Sequence, residues 1–274
     1  VDKSLLRPEG GTAASRFAML ETIREFADEQ LLSSQENDLI HARHAAYYLA
    51  LATEIEPRLR GRQPVGWLER LELEHANARA ALEWCLARDI AMALQLAGAL
   101  WWFWTLRGYW SEGRDWLTRT LRQPGANGPT TARAKALCGA GHLAILQGDY
   151  RGARPLLQES VAIWRSFGDK QGLADALHWL GREFSHPSAG SWLQESLDLR
   201  TELGDQRGIA EALGSLGEHA RQAGDIAAGR TLGEQSLAMW REIDDDFNVA
   251  LQLYRLGHVA RHQGEYGRAR ALYE

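Results

Sequence analysis

The chain has 274 residues, 45% of them hydrophobic and 24% charged, and a net charge of −5. It is long enough for one or two ordinary domains with a sizeable core, and too apolar for a disordered chain. A basic nucleic-acid stripe is excluded, because no Lys/Arg run exists and Lys occurs only at Lys3, Lys135 and Lys170; Cys85 and Cys138 alone make no disulfide framework and no cysteine-based metal site, which fits a reducing cytoplasm.

In chain order, a short apolar stretch, "GGTAAS" at 10–15 and "RFAML" predict a β-hairpin with its turn at 10–15. It feeds a helix from about Glu21 to Leu32. A lone hairpin is unstable, so this one requires a partner. Residues 34–93, with "HARHAAYYLALA" and "WLERLELEHANARAALEWCLA", read as a helical linker region. The run "AMALQLAGALWWFWTL" at 91–106 is too short for a comfortable membrane span. Val1 is not a methionine, and the periodic pattern still runs at Glu274. Both ends are expected to be cuts in a longer polypeptide.

From residue 94 onward the chain repeats itself. Aligning "GAGHLA", "WLGREF", "SLGEHA" and "RLGHVA" puts Gly141, Gly181, Gly217 and Gly257 in one column, spaced 40, 36 and 40. Ser160, Ser196 and Ser236 form a second column spaced 36 and 40. The two series agree for a 40-residue unit whose second copy has lost four residues between Gly181 and Glu195. Stepping back by 40 reaches a divergent earlier copy around Trp101 and Gly108. Each unit reads as two helices joined by a Gly-Asp/Glu turn, because apolar residues recur at helical spacing on either side of it. The prediction is an all-α, right-handed solenoid over 94–274, in which each helix pair covers its neighbour's apolar face.

These columns resemble the tetratricopeptide repeat. With the column glycine at motif position 8, Leu180, Leu216 and Leu256 fill the preceding position. Tyr150 and Tyr266 fill the turn aromatic, and Ala153 and Ala269 the small crossing residue. Ala140, Ile226 and Gly229 depart from the pattern. The stretches "RFAMLETIREFADEQLL", "WLERLELEHANARAALEWCLA" and "LWWFWTLRGYWSEGRDWL" further resemble the region after the ATPase in STAND-class bacterial regulators, related to LuxR-type and antibiotic-regulatory transcription factors. That resemblance implies that residues 1–33 end a winged-helix domain following an NB-ARC-like ATPase. It also implies that 34–93 is the linker and 94–274 the repeat array.

No G-x-x-x-x-G-K-[ST] loop occurs, so ATP is expected only in a missing upstream domain. No H-E-x-x-H, G-x-S-x-G or Cys/His zinc spacing occurs either, and no enzyme is expected within this segment. His258 and His262 stand four apart without a nearby carboxylate ligand, and read as surface or groove histidines rather than a metal pair; His41 and His44 read the same way. Trp101, Trp104 and Trp116 are expected between helix pairs, with Trp102 turned toward a groove.

In tetratricopeptide arrays the first helix of each pair lines the concave side at motif positions 2, 5, 9 and 12. The resemblance therefore assigns a groove to Trp102, His142, Asp175, His178, Arg182, Glu211, Glu218, Arg221, Tyr254, His258 and Arg261. The expected partners are a protein segment, peptide or small effector in that groove and an ATPase domain of the same polypeptide, with no direct nucleic acid and no membrane. The reading is a sensor or interaction module of an ATP-dependent signalling protein or transcriptional regulator. A free-standing tetratricopeptide scaffold is the alternative.

Overall fold

A computed structural model describes residues 5–9, 16–34, 36–61 and 64–274. Strands β1 (Leu6–Glu9) and β2 (Arg16–Met19) pair antiparallel, Leu6 opposite Met19 and Glu9 opposite Arg16. The expected turn at 10–15 lies outside the described residues. Helix α1 (Glu21–Ser33) follows and buries none of its residues; Phe26 and Leu32 are 61% and 70% exposed. Next come α2 (Asn37–Leu59), α3 (Val65–Leu73) and α4 (His75–Arg88). The inward stripe of α2, with Leu51, Ala52, Ile55 and Leu59 buried, packs on α4 and on the first array helix.

The array is five helix pairs in an all-α solenoid: α5 (Ile90–Arg107) with α6 (Trp110–Leu121), α7 (Thr131–Leu146) with α8 (Tyr150–Phe167), α9 (Lys170–Leu180) with α10 (Ala189–Leu203), α11 (Gln206–Gln222) with α12 (Ile226–Glu242), and α13 (Asp246–His262) with α14 (Tyr266–Tyr273). First helices touch first helices at α5–α7, α7–α9 and α11–α13, which makes them one layer of the stack. Helix α5 is apolar all round because α2, α4, α6 and α7 surround it. That accounts for the 91–106 run, with Trp101 and Trp104 each 1% exposed. Among the described residues no helix is long and apolar enough to cross a membrane.

Local chemistry sets the turns. Asp149, Asp169, Asp205, Asp225 and Asp245 each accept a hydrogen bond from a backbone N–H in the first turn of the helix they open. Left-handed glycines close the first helices at Gly108, Gly148, Gly224 and Gly264. The missing member belongs to the shortened unit: α9 stops at Leu180, and residues 181–188 form an irregular turn before α10.

The glycine column is explained by helix crossing. A methyl group on Gly141 would meet Leu157 of α8 at 2.5 Å, and one on Gly181 would meet Leu193 of α10 at 2.6 Å. In the next pair both partners are glycines. A Cβ on Gly217 would lie 3.0 Å from the Gly229 carbonyl oxygen, so α11 and α12 meet backbone to backbone. The serine column ties the same pairs together. Ser160, Ser196 and Ser236, all fully buried, donate to the carbonyls of Ala134, Ala174 and Ala210 at 2.7–2.8 Å.

A candidate binding face on the first helices

The helical phase brings six of the expected groove residues into one cluster. Trp102, half-buried, has its ring centroid 5.7 Å from His142 and 6.3 Å from Trp179, and His142 packs on Trp179 at 3.9 Å. Arg182 holds its guanidinium 5.6 Å over the Trp179 ring. Among the described residues, neither ring nitrogen of His142 or His178 has a hydrogen-bond partner, nor does Trp102 Nε1.

Charges surround this aromatic wall. Arg200, 1% exposed, reaches in from α10 and donates to Asp175 at 3.2 Å, to Glu211 at 3.0 Å and to the Gly208 carbonyl at 2.7 Å. Arg60, just past the end of α2, donates to Asp175 at 2.7 Å and lies 5.0 Å over the Trp102 ring. Lys135, at motif position 2 on α7, pairs with Glu56 of α2. The C-terminal end of α2 is thus clamped onto the first-helix layer at two points.

Burial and charge set the protonation states. Burial pushes the Glu211 carboxyl up, but His178 and Arg200 outweigh it and hold it well below the usual carboxylate range. Burial pushes the His178 imidazole down to about 3, even with Glu211 3.5 Å away. Burial, then the Arg182 charge, drives His142 well below its ordinary value. Both imidazoles are therefore neutral where an unfolded histidine near 6.5 takes up a proton. The unfolded chain binds more protons below pH 6.5, so stability falls as pH drops from there toward the folded-state values. Between pH 6 and 5, above the carboxylate range, the expected slope approaches about 1.4 kcal/mol per pH unit for His178, and His142 adds to it in the same direction. Urea unfolding across that window, compared with a His178→Gln variant, checks it; the variant is expected to lose about 1 kcal/mol per pH unit of the slope.

The remaining residues form a second group farther along the array. Glu218 accepts from Arg221 at 2.6 and 2.9 Å, and Arg221 approaches His262 at 3.3 Å. Tyr254, 55% exposed, packs on His258 at 4.6 Å, and Arg261 is exposed. Among the described residues, no group of three or more His, Cys, Asp or Glu is arranged to hold a metal. His178 is fully buried, because its neighbours Glu211 and Trp179 cover it within the layer.

Sequence reasoning missed Arg60, Trp179 and Arg200. Trp179 is adjacent to a groove position. Arg200 sits on a second helix, and Arg60 lies outside the repeat, so the motif phase carried no signal for either.

Residues 208–274 match the tetratricopeptide-repeat family model. That match takes in 67 of the 274 residues and spans the last two helix pairs. The helical array around it has the same architecture in solved tetratricopeptide-type structures. A Rap protein complexed with Competence and Sporulation Factor is 12% identical, with 86% of this chain and 75% of that chain covered at a TM-score of 0.61. A Signal Transduction ATPase with Numerous Domains from Pyrococcus horikoshii, carrying a tetratricopeptide-repeat sensor, is 12% identical at a TM-score of 0.55. There 99% of this chain and 43% of that one are covered. In sequence, the chain is 35% identical over 186 residues to a Mycobacterium bovis protein named as an HTH-type transcriptional regulator. That match takes in 65% of this chain, which spans about a fifth (21%) of the regulator's length. The chain is thus similar in fold to tetratricopeptide-type structures and in sequence to a protein named as a transcriptional regulator.

Proposed function

We propose that the first-helix face of this tetratricopeptide array captures a peptide or small polar effector, and that the chain is the sensor module of a longer ATP-dependent regulator working in the cytoplasm. The observation that carries the reading is the buried His142 imidazole beside the Trp102 and Trp179 rings, neither of its ring nitrogens having a hydrogen-bond partner among the described residues. Polar atoms that lack partners inside an aromatic wall are costly for folding alone and suit an incoming hydrogen-bonding ligand. The regulator-named relative, and the fold shared with NprR in complex with its cognate peptide, support it.

Residues 1–33 then belong to the end of a winged-helix domain and 34–93 to the linker, with 94–274 as the sensor. The apolar side chains of Phe17, Leu20, Phe26 and Leu32, all exposed, give an upstream ATPase domain of the same polypeptide a surface to pack on. The route from ligand to linker runs through Arg60 and Glu56. A ligand that competes with Arg60 for Asp175 shifts the population of α2 positions. No catalytic step is assigned to these residues.

The test is selection of a random heptapeptide display library on the 274-residue protein. Recovered peptides are expected to lose at least tenfold in affinity against a Trp102→Ala, Arg182→Gln, Tyr254→Ala variant of unchanged helicity. Peptides that bind both proteins equally overturn the assignment of the face.

A further inference from the structure

Two arginines meet at Asp175, and they are held very differently. Arg200 is buried, and Glu211 and the Gly208 carbonyl fix it from further sides. Arg60 reaches in from outside the repeat, and its side chain is 35% exposed. Among the described residues one hydrogen bond holds it, to Asp175 Oδ2 at 2.7 Å; the other carboxylate oxygen is committed to Arg200 at 3.2 Å.

The rest of the Arg60 seat is aromatic. The Trp101 and Trp102 rings stand nearly at right angles, 78° apart, with centroids 4.9 Å from each other. The Arg60 guanidinium carbon lies 5.2 Å from the first centroid and 5.0 Å from the second, so two π faces share one cation. A carboxylate and two indole faces around a planar cation suit a guanidinium better than a compact ammonium. The other position-2 side chains offer no such seat: Lys135 is paired with Glu56, Glu211 with Arg200, and Leu251 is apolar.

Arg60 fills the seat without being needed to build it. Its side chain can turn out to water while α2 stays in place, because Leu51, Ala52, Ile55 and Leu59 anchor that helix in the core. A ligand without a cation that displaces Arg60 leaves Asp175 Oδ2 without its donor, which costs binding energy. A ligand that brings its own guanidinium replaces the bond and the ring contacts like for like.

We propose that Arg60 is a built-in competitor for the seat made by Asp175, Trp101 and Trp102, and that the effector enters it with an arginine side chain of its own. This rests on the effector-binding reading of the face, and deepens it by naming the ligand's charge and the contact it must displace. Arg60 then sets the affinity threshold of the face, and its departure releases one of the two clamps on α2.

The test is NMR titration of the 274-residue protein and of its Arg60→Ala variant, reading the Trp102 indole N–H. The probes are Ac-Ala-Arg-Ala-NH2, free arginine, Ac-Ala-Lys-Ala-NH2, and the citrulline tripeptide, which keeps the arginine shape without the charge. Saturable shifts from an arginine probe are expected, about tenfold tighter in Arg60→Ala than in wild type and about tenfold weaker again once Trp102→Leu is added. Arg60→Lys, which keeps the charge but not the planar fork, is expected to fall between wild type and Arg60→Ala. Which arginine probe saturates first tells a peptide side chain from the free amino acid. Binding no tighter in either Arg60 variant, citrulline or lysine equal to arginine, or shifts indifferent to Trp102→Leu overturns the proposal. Library peptides that keep their affinity when citrulline replaces arginine sink the seat and leave the binding face standing; a library that yields no binder sinks the face itself.

Discussion

Replacing Arg200 with methionine is expected to lower the unfolding free energy by about 3 kcal/mol, the lower end of the range for stripping one partner from a buried ion pair. The guanidinium is buried between Asp175, Glu211 and the Gly208 carbonyl, and it bridges two consecutive repeats. Methionine fills the volume but leaves Glu211 with His178 as its remaining partner and the Gly208 carbonyl without its donor. The loss stays at the lower end because Asp175 retains Arg60 and because Glu211 keeps some contact with water. A double variant that adds Glu211→Gln removes the charge left without Arg200 and keeps the Arg60–Asp175 pair. It is expected to recover at least half of the loss, since an ion pair replaced whole is often nearly neutral. Urea unfolding followed by far-UV circular dichroism measures both. A single variant within about 1 kcal/mol of wild type would show that water, not Arg200, compensates those carboxylates.

The second large effect concerns packing. Gly217→Ala is expected to cost about 2 kcal/mol, within the range for overfilling a packed interior. The obstacles are the Gly229 carbonyl oxygen at 3.0 Å and the Gly233 amide nitrogen at 3.2 Å, which are backbone atoms that move only if α12 moves. Gly267→Ala is the matched control. A Cβ there meets nothing within 4 Å, so alanine is expected to raise stability slightly, by no more than about 0.5 kcal/mol. Thermal melts of the two variants side by side separate the crossing effect from helix propensity. Equal responses to the two substitutions would remove the close-approach explanation of the glycine column.

Much of this fold was legible because stacking leaves a periodic record. A glycine needed at a helix crossing and a serine that reaches the same carbonyl in each pair both recur at the repeat length. The candidate site was legible only where it obeyed that period. Trp102, His142, Asp175, His178 and Arg182 follow from the motif phase, and the structure gathers them. Phase gives direction but not exposure, so it does not tell that His178 is fully buried while Tyr254 is 55% exposed. Arg200 closes the cluster from a second helix, and Arg60 does so from a helix that belongs to no repeat. Their contribution is a matter of long side chains spanning between elements, which a column alignment does not encode.

The serine bonds carry a consequence for how such a chain changes length. Ser160 and Ser236 reach a carbonyl 26 residues back, whereas Ser196 reaches the matching carbonyl 22 residues back. The four-residue deletion therefore fell entirely inside the turn at 181–188 and left the two helices of that pair in register. A duplicated unit can shed or gain residues at this one corner while the face it presents stays aligned with its neighbours. Repeat length is thus free to drift in the stretch of this corner beyond Arg182, which itself stays over the Trp179 ring on the binding face.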